Sequence, residues 1–216
     1  YDIEGSATGT DSRLRYLYVD AIDRQRTFNV RLGRQSRSTG GVLGRFDGLL
    51  LSYRVRPRVR VNAIAGMPVD LTTANALQTD RYLYGMSVDL GPFADYWDGS
   101  LFEIQQHREG LLDRRAIGLE LRYVRPEASV FGLLDYDVSY TNLNIALLQA
   151  NYRFVNAATV GLAIDYRDTP ALTTGNALIG QPVDSLDALR AFYDDTEVRH
   201  LAEDRVDRRL RELRLG

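Results

Sequence analysis

The chain has no cysteine, and only two of its 216 residues are histidine. It therefore has no disulfide, no thiolate zinc site and no thiol nucleophile. Lysine is also missing, so all 27 basic residues are arginine, and 29 acidic residues leave a formal net charge of −2. A nearly neutral chain lacks the strongly basic surface of a dedicated nucleic-acid binder. We therefore expect no nucleic-acid partner.

Two kinds of membrane-targeting signal are missing as well. Residues 1–12 contain no basic stretch followed by an apolar run, so they predict no signal peptide. No part of the sequence approaches the roughly 18 to 20 consecutive apolar residues that a transmembrane helix needs. Hydropathy does not detect strands that are apolar on one face only, so these absences leave membrane strands open.

Between residues 13 and 168 the apolar residues recur with a period of two. In the segment 27–35, for example, Phe28, Val30 and Leu32 alternate with polar or small residues. This period is the repeat of a β-strand that has one apolar face. Several later segments alternate in the same way. Together they predict about ten strands, each near the 9–11 residues of a tilted membrane strand.

The connections and the aromatic residues favour a barrel over a sandwich. Tight turns, such as the one at Pro57, alternate with longer segments such as residues 36–45 and 68–80. Outer-membrane barrels have short turns at one end and longer loops at the other. Tyr53 and Tyr166 lie near opposite ends of their predicted strands, as aromatic rings at the two membrane interfaces would. Alternation alone does not exclude a soluble sandwich, whose apolar face is its core.

One hairpin also suggests a family. The run Arg31-Leu-Gly-Arg-Gln35, a glycine-rich loop, and then Gly44-Arg-Phe-Asp-Gly-Leu49 with Tyr53 resembles a hairpin of porin-like outer-membrane barrels of Gram-negative bacteria. Barrels of the polysaccharide-export type have similar hairpins. The resemblance extends over residues 13–168, and its distinctive part is the 31–53 hairpin.

The resemblance implies an all-β fold, an antiparallel up-and-down transmembrane-type β-barrel in the bacterial outer membrane. It also implies outer-membrane lipid and small polar or saccharide solutes as partners. A periplasmic domain of the same parent chain is a further expected partner. Members of such families typically end on a strand with a terminal aromatic residue, whereas residues 208–216 are rich in arginine. We therefore expect the sequence to be a fragment of a larger chain, with a barrel of about ten strands that is not necessarily complete.

The sequence divides into three predicted regions. Residues 13–168 form the antiparallel β-barrel region and residues 169–184 a loop. Residues 185–216 are predicted to be a charged helical tail, because apolar residues recur there at helical spacing among acidic and basic ones.

The charged residues at polar positions of the strands are the best functional clue. Facing charges in a pore create a transverse field that selects solutes by sign and dipole. Arginine also binds carboxylates in a bidentate manner, which would suit acidic sugars. In a narrow barrel the same charges could instead pair across strands and fill the interior. The predicted pore-lining residues are Arg31, Arg54, Glu103, Glu120, Arg122, Asp165 and Arg167.

Other candidate sites are weaker. His107 could act with Ser100 and Asp98, but nothing in their spacing requires a catalytic triad. Asp135 and Asp137 share a strand face, yet two carboxylates fall short of the six to eight oxygens of a calcium site. We therefore expect no catalytic residue, no metal and no cofactor.

The glycine-rich segment 39–44 does not have the GxxxxGK[ST] spacing of a phosphate-binding loop. It is better interpreted as an outer loop or a constriction element.

The sequence thus predicts a non-catalytic outer-membrane channel or export pore for small polar or sugar-like solutes, including anionic ones. The alternative is a soluble antiparallel β-barrel or sandwich that binds a ligand or a partner.

Overall fold

The structure is a computed structural model that describes residues 14–37, 41–42, 44–69 and 80–215, with side chains described as far as residue 206. Eleven antiparallel strands, β1 to β11, form one sheet in which every strand pairs with its neighbours in the chain. The strands are β1 (Leu17–Ile22), β2 (Phe28–Ser36), β3 (Arg45–Arg56), β4 (Val59–Val69), β5 (Arg81–Phe93), β6 (Trp97–Arg108), β7 (Leu111–Val124), β8 (Ala128–Asp137), β9 (Asn142–Arg153), β10 (Thr159–Thr169) and β11 (Asp207–Leu215).

The prediction of an all-β, antiparallel, up-and-down fold is confirmed, and the predicted helical tail is wrong in part. Helices α1 (Leu186–Leu189) and α2 (Asp195–Asp204) form, but residues after α2 make β11 instead of continuing the helix. In β11, Leu215 lies opposite Leu162 of β10. Pairing with β11 satisfies the backbone hydrogen-bonding groups along β10, a long-range gain that the helical spacing of the tail does not reveal.

The two ends of the sheet differ in their connections. All five connections at one end, which we call the short-turn end, are brief, such as the turn between β3 and β4 at Pro57 and Arg58. The opposite end, the loop end, contains the longer β2–β3 and β4–β5 connections and the segment that leaves β10. However, β6 and β7 are also joined tightly there, by Glu109 and Gly110. The predicted alternation of short and long connections therefore holds only in part.

The two faces of the sheet have opposite character. Directly opposed residues of antiparallel strands share a face, so the register places Asp89, Ser100 and Glu120 on one side, which we call the inner face. Glu120 is only 4 % exposed, whereas Leu101 and Leu119 on the other side, the outer face, are 52 % and 40 % exposed. The described strands form one sheet, so no second sheet covers the outer face. The inner face therefore buries charged and polar side chains together with an apolar cluster around Phe46, whereas the outer face exposes large apolar side chains.

A row of glycines crosses the inner face of three strands. Gly33 lies opposite Gly48, which in turn lies opposite Gly66. A Cβ on Gly48 would approach the carbonyl oxygen of Ala65 to 2.2 Å. Glycine is thus required where the backbones of β3 and β4 come together so closely, as at a sharp bend of a sheet.

We expect Gly48→Ala to destabilise the protein by about 1–3 kcal/mol, because the added methyl group forces β3 and β4 apart. Gly132→Ala is the matched control, since its Cβ would find its nearest neighbour, the Leu147 carbonyl oxygen, at 3.9 Å. Urea unfolding followed by circular dichroism measures both changes. Equal midpoints for the two variants would contradict the close approach at Gly48.

Residues 169–206 form a small helical cap at the loop end of the sheet. It comprises a 3₁₀ turn at Thr174–Leu178 followed by α1 and α2. Its buried apolar residues, packed together with Tyr140, are Leu172, Ala177, Leu186, Leu189, Val198 and Ala202. In the described part of the chain, no helix has the length and apolar character needed to cross a membrane.

Polar contacts attach the cap to the loop-end turns. The hydroxyl groups of Tyr140 and Thr174 lie 2.7 Å apart, and Gly175 N donates to Asp113 Oδ1 at 2.8 Å. Burial raises the pKa of Tyr140 to about 12, so the phenol is protonated at neutral pH. The cap therefore covers the loop end above β6 to β9 through specific contacts.

Candidate functional site

A chain of hydrogen bonds crosses the inner face from β3 to β6. Ser52 Oγ donates to Asn62 Oδ1 at 2.7 Å, and Asn62 Nδ2 donates to Ser87 Oγ at 3.0 Å and to Asp89 Oδ2 at 2.8 Å. Ser100 Oγ completes the chain by donating to Asp89 Oδ1 at 2.9 Å. We call these residues the inner polar belt. Because these side chains satisfy one another's hydrogen-bonding groups, their burial on the inner face costs little free energy.

The β2–β3 connection folds onto this inner face. The Arg37 guanidinium donates to Ser87 Oγ at 2.9 Å and lies 3.6 Å from Asp89 Oδ1. Burial lowers the pKa of Arg37, and the nearby carboxylates of Asp89 and Glu120 offset part of that lowering.

Two more residues of the same connection contact the inner face. The Gly41 carbonyl accepts a hydrogen bond from Arg114 at 3.1 Å, and Gly41 sits so close to the Phe102 ring that a Cβ there would meet it at 2.3 Å. Val42 packs against an apolar cluster on the inner face that includes Phe46. We call Arg37, Gly41 and Val42 the inner segment. Of residues 39–44, which were interpreted as an outer loop or a constriction element, Gly41 and Val42 lie against the inner face, and residues 39, 40 and 43 lie outside the described part.

A cavity of about 300 Å³ opens on the inner face at the short-turn end. Arg54 and Arg60 lie directly opposite each other in the register of β3 and β4. Within the described residues, neither arginine forms an ion pair with a carboxylate. The charged side chains that line this cavity include Arg54, Arg60, Asp89, Asp98, Glu120 and Arg122, and we call it the charged cavity. Arg54 and Arg60 on β3 and β4 lie beside acidic groups of β5 to β7, among which Arg122 of β7 adds a further positive charge.

Three of the seven predicted pore-lining residues meet in this cavity. Arg54, Glu120 and Arg122 all line it, and the Arg122 guanidinium lies 3.6 Å from Glu120 Oε2. Arg122 also lies over the Phe131 ring, 5.7 Å from its centroid. This part of the prediction identified residues that the fold brings together.

Three other predicted residues lie on the inner face but away from the cavity, in ion pairs near the two edges of the sheet. Arg31 Nε donates to Asp20 Oδ1 at 2.7 Å, and Arg167 Nε donates to Asp165 Oδ1 at 2.7 Å. Both pairs neutralise their charges within one or two strands, which matches the alternative of charges that pair within the interior.

Glu103 was expected at a polar position of its strand and instead lies on the outer face. It lies opposite Met86 and Ile117 in the register of the neighbouring strands. The reason is that β6 has apolar residues on both faces: Phe102 and Ile104 are buried inside while Leu101 is exposed outside. Alternation cannot assign the faces of such a strand.

The possible catalytic group is not assembled. His107 lies on the outer face, stacked on Tyr82 with ring centroids 4.8 Å apart. Ser100 and Asp98 lie on the inner face, opposite Glu120 and Arg122. The sheet therefore separates the histidine from the other two side chains.

A buried acidic group lies beneath the cap. Arg114 donates to Asp135, and both side chains are at most 3 % exposed. Asp137 Oδ1 accepts from the backbone nitrogens of Ser139 and Tyr140, at 2.8 and 3.0 Å. In the described ranges no group of three or more histidine, aspartate or glutamate side chains is arranged to hold a metal ion.

Two arginines with hydrogen bonds on the inner face, Arg37 and Arg114, were not among the predicted site residues. Arg37 falls in a loop, where alternation has no meaning, and Arg114 is the first of two consecutive arginines that point to opposite faces of β7. The position of Arg114 could have been inferred by continuing the alternation of residues 116–123 backward. That of Arg37 depends on contacts 50 residues away in sequence.

Comparisons of the chain with protein-family models, with curated proteins and with solved structures found no match.

Proposed function

We propose that this chain forms the wall of an outer-membrane β-barrel channel that passes small polar or sugar-like solutes, including anionic ones, without catalysis. One observation supports the proposal above the others: the outer face leaves large apolar side chains exposed, while charged and polar side chains such as Asn62 and Glu120 are buried on the inner face. In water, an exposed apolar face of this extent is unfavourable, whereas large apolar patches are expected where a protein contacts lipid.

Strand length and aromatic positions agree with a membrane environment. Strands β3 to β10 have 10 to 14 residues, enough to cross the apolar layer at the usual tilt of about 45°. On the outer face, Tyr53 and Tyr152 are exposed toward the short-turn end, and Tyr82 and Tyr84 are exposed toward the loop end. Tyrosine favours these two depths because its ring is apolar and its hydroxyl is polar.

The direction of the strands limits how such a wall closes. Among the described strands, β1 and β11 each pair with a single neighbour. Since neighbouring strands alternate in direction, β1 and β11 run the same way. The chain alone can therefore close only by parallel pairing of β1 with β11, and antiparallel closure requires an odd number of additional strands between these two edges.

The proposed solute path lies along the inner face. A solute entering at the short-turn end meets the charged cavity first, where Arg54 and Arg60 would attract carboxylates. It then meets the inner polar belt, and finally the inner segment, which narrows the path at the loop end. Opposed charges and hydroxyl groups of this kind suit sugars better than apolar solutes.

The soluble alternative places the same inner face around a ligand, with the charged cavity as the binding site. It requires the outer face, with exposed residues such as Leu101 and Leu134, to lie in water. The arginine substitutions described in the Discussion separate the two proposals, because they have opposite expected effects in lipid and in water.

Solute uptake tests the proposed function. The 216-residue chain is reconstituted in lipid vesicles, and osmotic swelling is measured with glucose and with glucuronate. We expect faster swelling than in protein-free vesicles, with both solutes. Membrane insertion without any increase in permeability would contradict a channel.

We expect Arg37→Ala to raise the swelling rate several-fold, because the inner segment loses its contacts with Ser87 and Asp89. Arg24→Ala is the matched control, since this exposed arginine lies in the β1–β2 connection, outside the lining of the charged cavity. An unchanged rate for Arg37→Ala would mean that the inner segment does not narrow the path.

A further inference from the structure

The outer face has a polar patch that extends from the middle of β6 toward the loop end. Tyr84 Oη donates to Gln105 Oε1 at 2.8 Å, and Gln105 Nε2 donates to Glu103 Oε1 at 2.8 Å. Arg115 Nε lies 3.3 Å from the same Glu103 oxygen. We call these four residues the outer polar patch.

The depth of Glu103 is unusual for a charged residue on a lipid-facing surface. Glu103 lies at the middle of β6, between Met86 and Ile117 of the adjacent strands. A second ion pair of the outer face, between Arg34 and Asp47, lies toward the loop-end termini of β2 and β3. Charged side chains on the lipid face are most unfavourable at mid-depth and least unfavourable near the interfaces.

An apolar groove of about 450 Å³ adjoins the patch on the same face. Its apolar lining includes Met86, Leu101, Ile117, Leu119, Leu134 and Tyr136. A polar patch beside an apolar depression is the composition of a protein–protein interface, in which side chains of one partner fill a pocket of the other.

We propose that the outer polar patch and the adjoining groove are the interface with a second copy of this chain in the membrane. The inference rests on the proposed function, because only in lipid does the patch need a protein cover. The two charged side chains of the patch are partly exposed: 36 % of the Glu103 side chain and 49 % of the Arg115 side chain remain accessible. Each can therefore form a further contact with a partner.

The charges in the patch identify the partner. An acidic and a basic group lie side by side, so a two-fold axis near them brings Glu103 of one copy to Arg115 of the other, and the reverse. Such a surface is complementary to itself. A partner of different chemistry would be favoured by a patch of one sign, which this is not.

Charge reversal in mixtures tests the interface. The variant Glu103→Arg has two positive charges in the patch, and Arg115→Glu has two negative charges. We expect the unmodified chain to be dimeric in a mild detergent by light scattering, and each variant alone to be monomeric. A mixture of the two variants, one of them tagged, is expected to form heterodimers, because opposite charges meet only between unlike copies. Glu103→Gln, which adds no charge, should lower the dimer fraction without abolishing it.

Three results would overturn the interface: a monomeric unmodified chain, variants that dimerise alone as well as the unmodified chain does, or a mixture that stays monomeric. If the chains are monomeric but still insert in vesicles, the result contradicts the interface and not the channel. Another protein or lipid would then cover the patch. Failure of the chain to insert at all contradicts the proposed function instead. Circular dichroism of each variant confirms that the sheet has formed.

Discussion

Leu148→Arg is expected to destabilise the protein in lipid vesicles by about 2–4 kcal/mol, the cost of an arginine at mid-depth on the lipid face of a barrel. Leu148 lies near the middle of β9, opposite Ile164 on the outer face. It is also separate from β6 and β7, where the proposed interface between copies has its charges. Urea unfolding from vesicles, followed by the gel mobility of the folded form, measures the change.

The adjacent residue provides the control. Leu147 lies opposite Leu133 and Asp165 on the inner face, so Leu147→Arg places the same charge near a carboxylate. We expect it to cost less than about 1 kcal/mol, the scale of a partly solvated ion pair. If the outer face were in water, Leu148→Arg would instead change stability by no more than about 0.5 kcal/mol, as exposed substitutions do. That result, with the larger loss at Leu147, would favour the soluble alternative.

Arg114→Met is expected to cost about 3–5 kcal/mol, since it leaves the Asp135 carboxylate buried without its cation. Asp135 is 1 % exposed, and Arg114 also donates to the Gly41 carbonyl of the inner segment. The free energy of unfolding in urea, measured at neutral pH, gives the size of the effect.

The double variant Arg114→Met with Asp135→Leu tests the cause. Removing both charges leaves no unpaired carboxylate, so most of the lost stability should return. A single variant that loses less than about 1 kcal/mol, or a double variant no more stable than the single one, would show that the ion pair is not what stabilises this region.

The sequence was sufficient to predict strands between residues 13 and 168 and most of their faces, but not β11. Alternation in segments such as 159–167 placed Asp165 and Arg167 correctly on the inner face, because each large apolar residue there points outward. It failed at Glu103, where apolar residues lie on both faces of β6. A local pattern does not indicate which of two apolar faces is covered by the inner segment.

The remaining differences come from contacts between residues distant in sequence. The spacing of the leucines in residues 207–215 is compatible with a helix or with a strand. These residues form a strand because they pair with β10. The position of Arg37 beside Ser87, and of Thr174 beside Tyr140, likewise depends on elements that meet only in the folded chain. Periodicity reports which side of a strand is apolar, but not what that side contacts.

Spin labels on β9 show whether the apolar face of the sheet contacts lipid. The native chain has no cysteine, so single cysteines at residues 146–151 can each be labelled without background. In lipid vesicles, we predict that collisions with oxygen are most frequent at positions 146, 148 and 150, and collisions with a water-soluble nickel chelate at 147, 149 and 151. Oxygen collisions that are most frequent at positions 147, 149 and 151, or that do not alternate along β9, would show that the apolar face does not contact lipid.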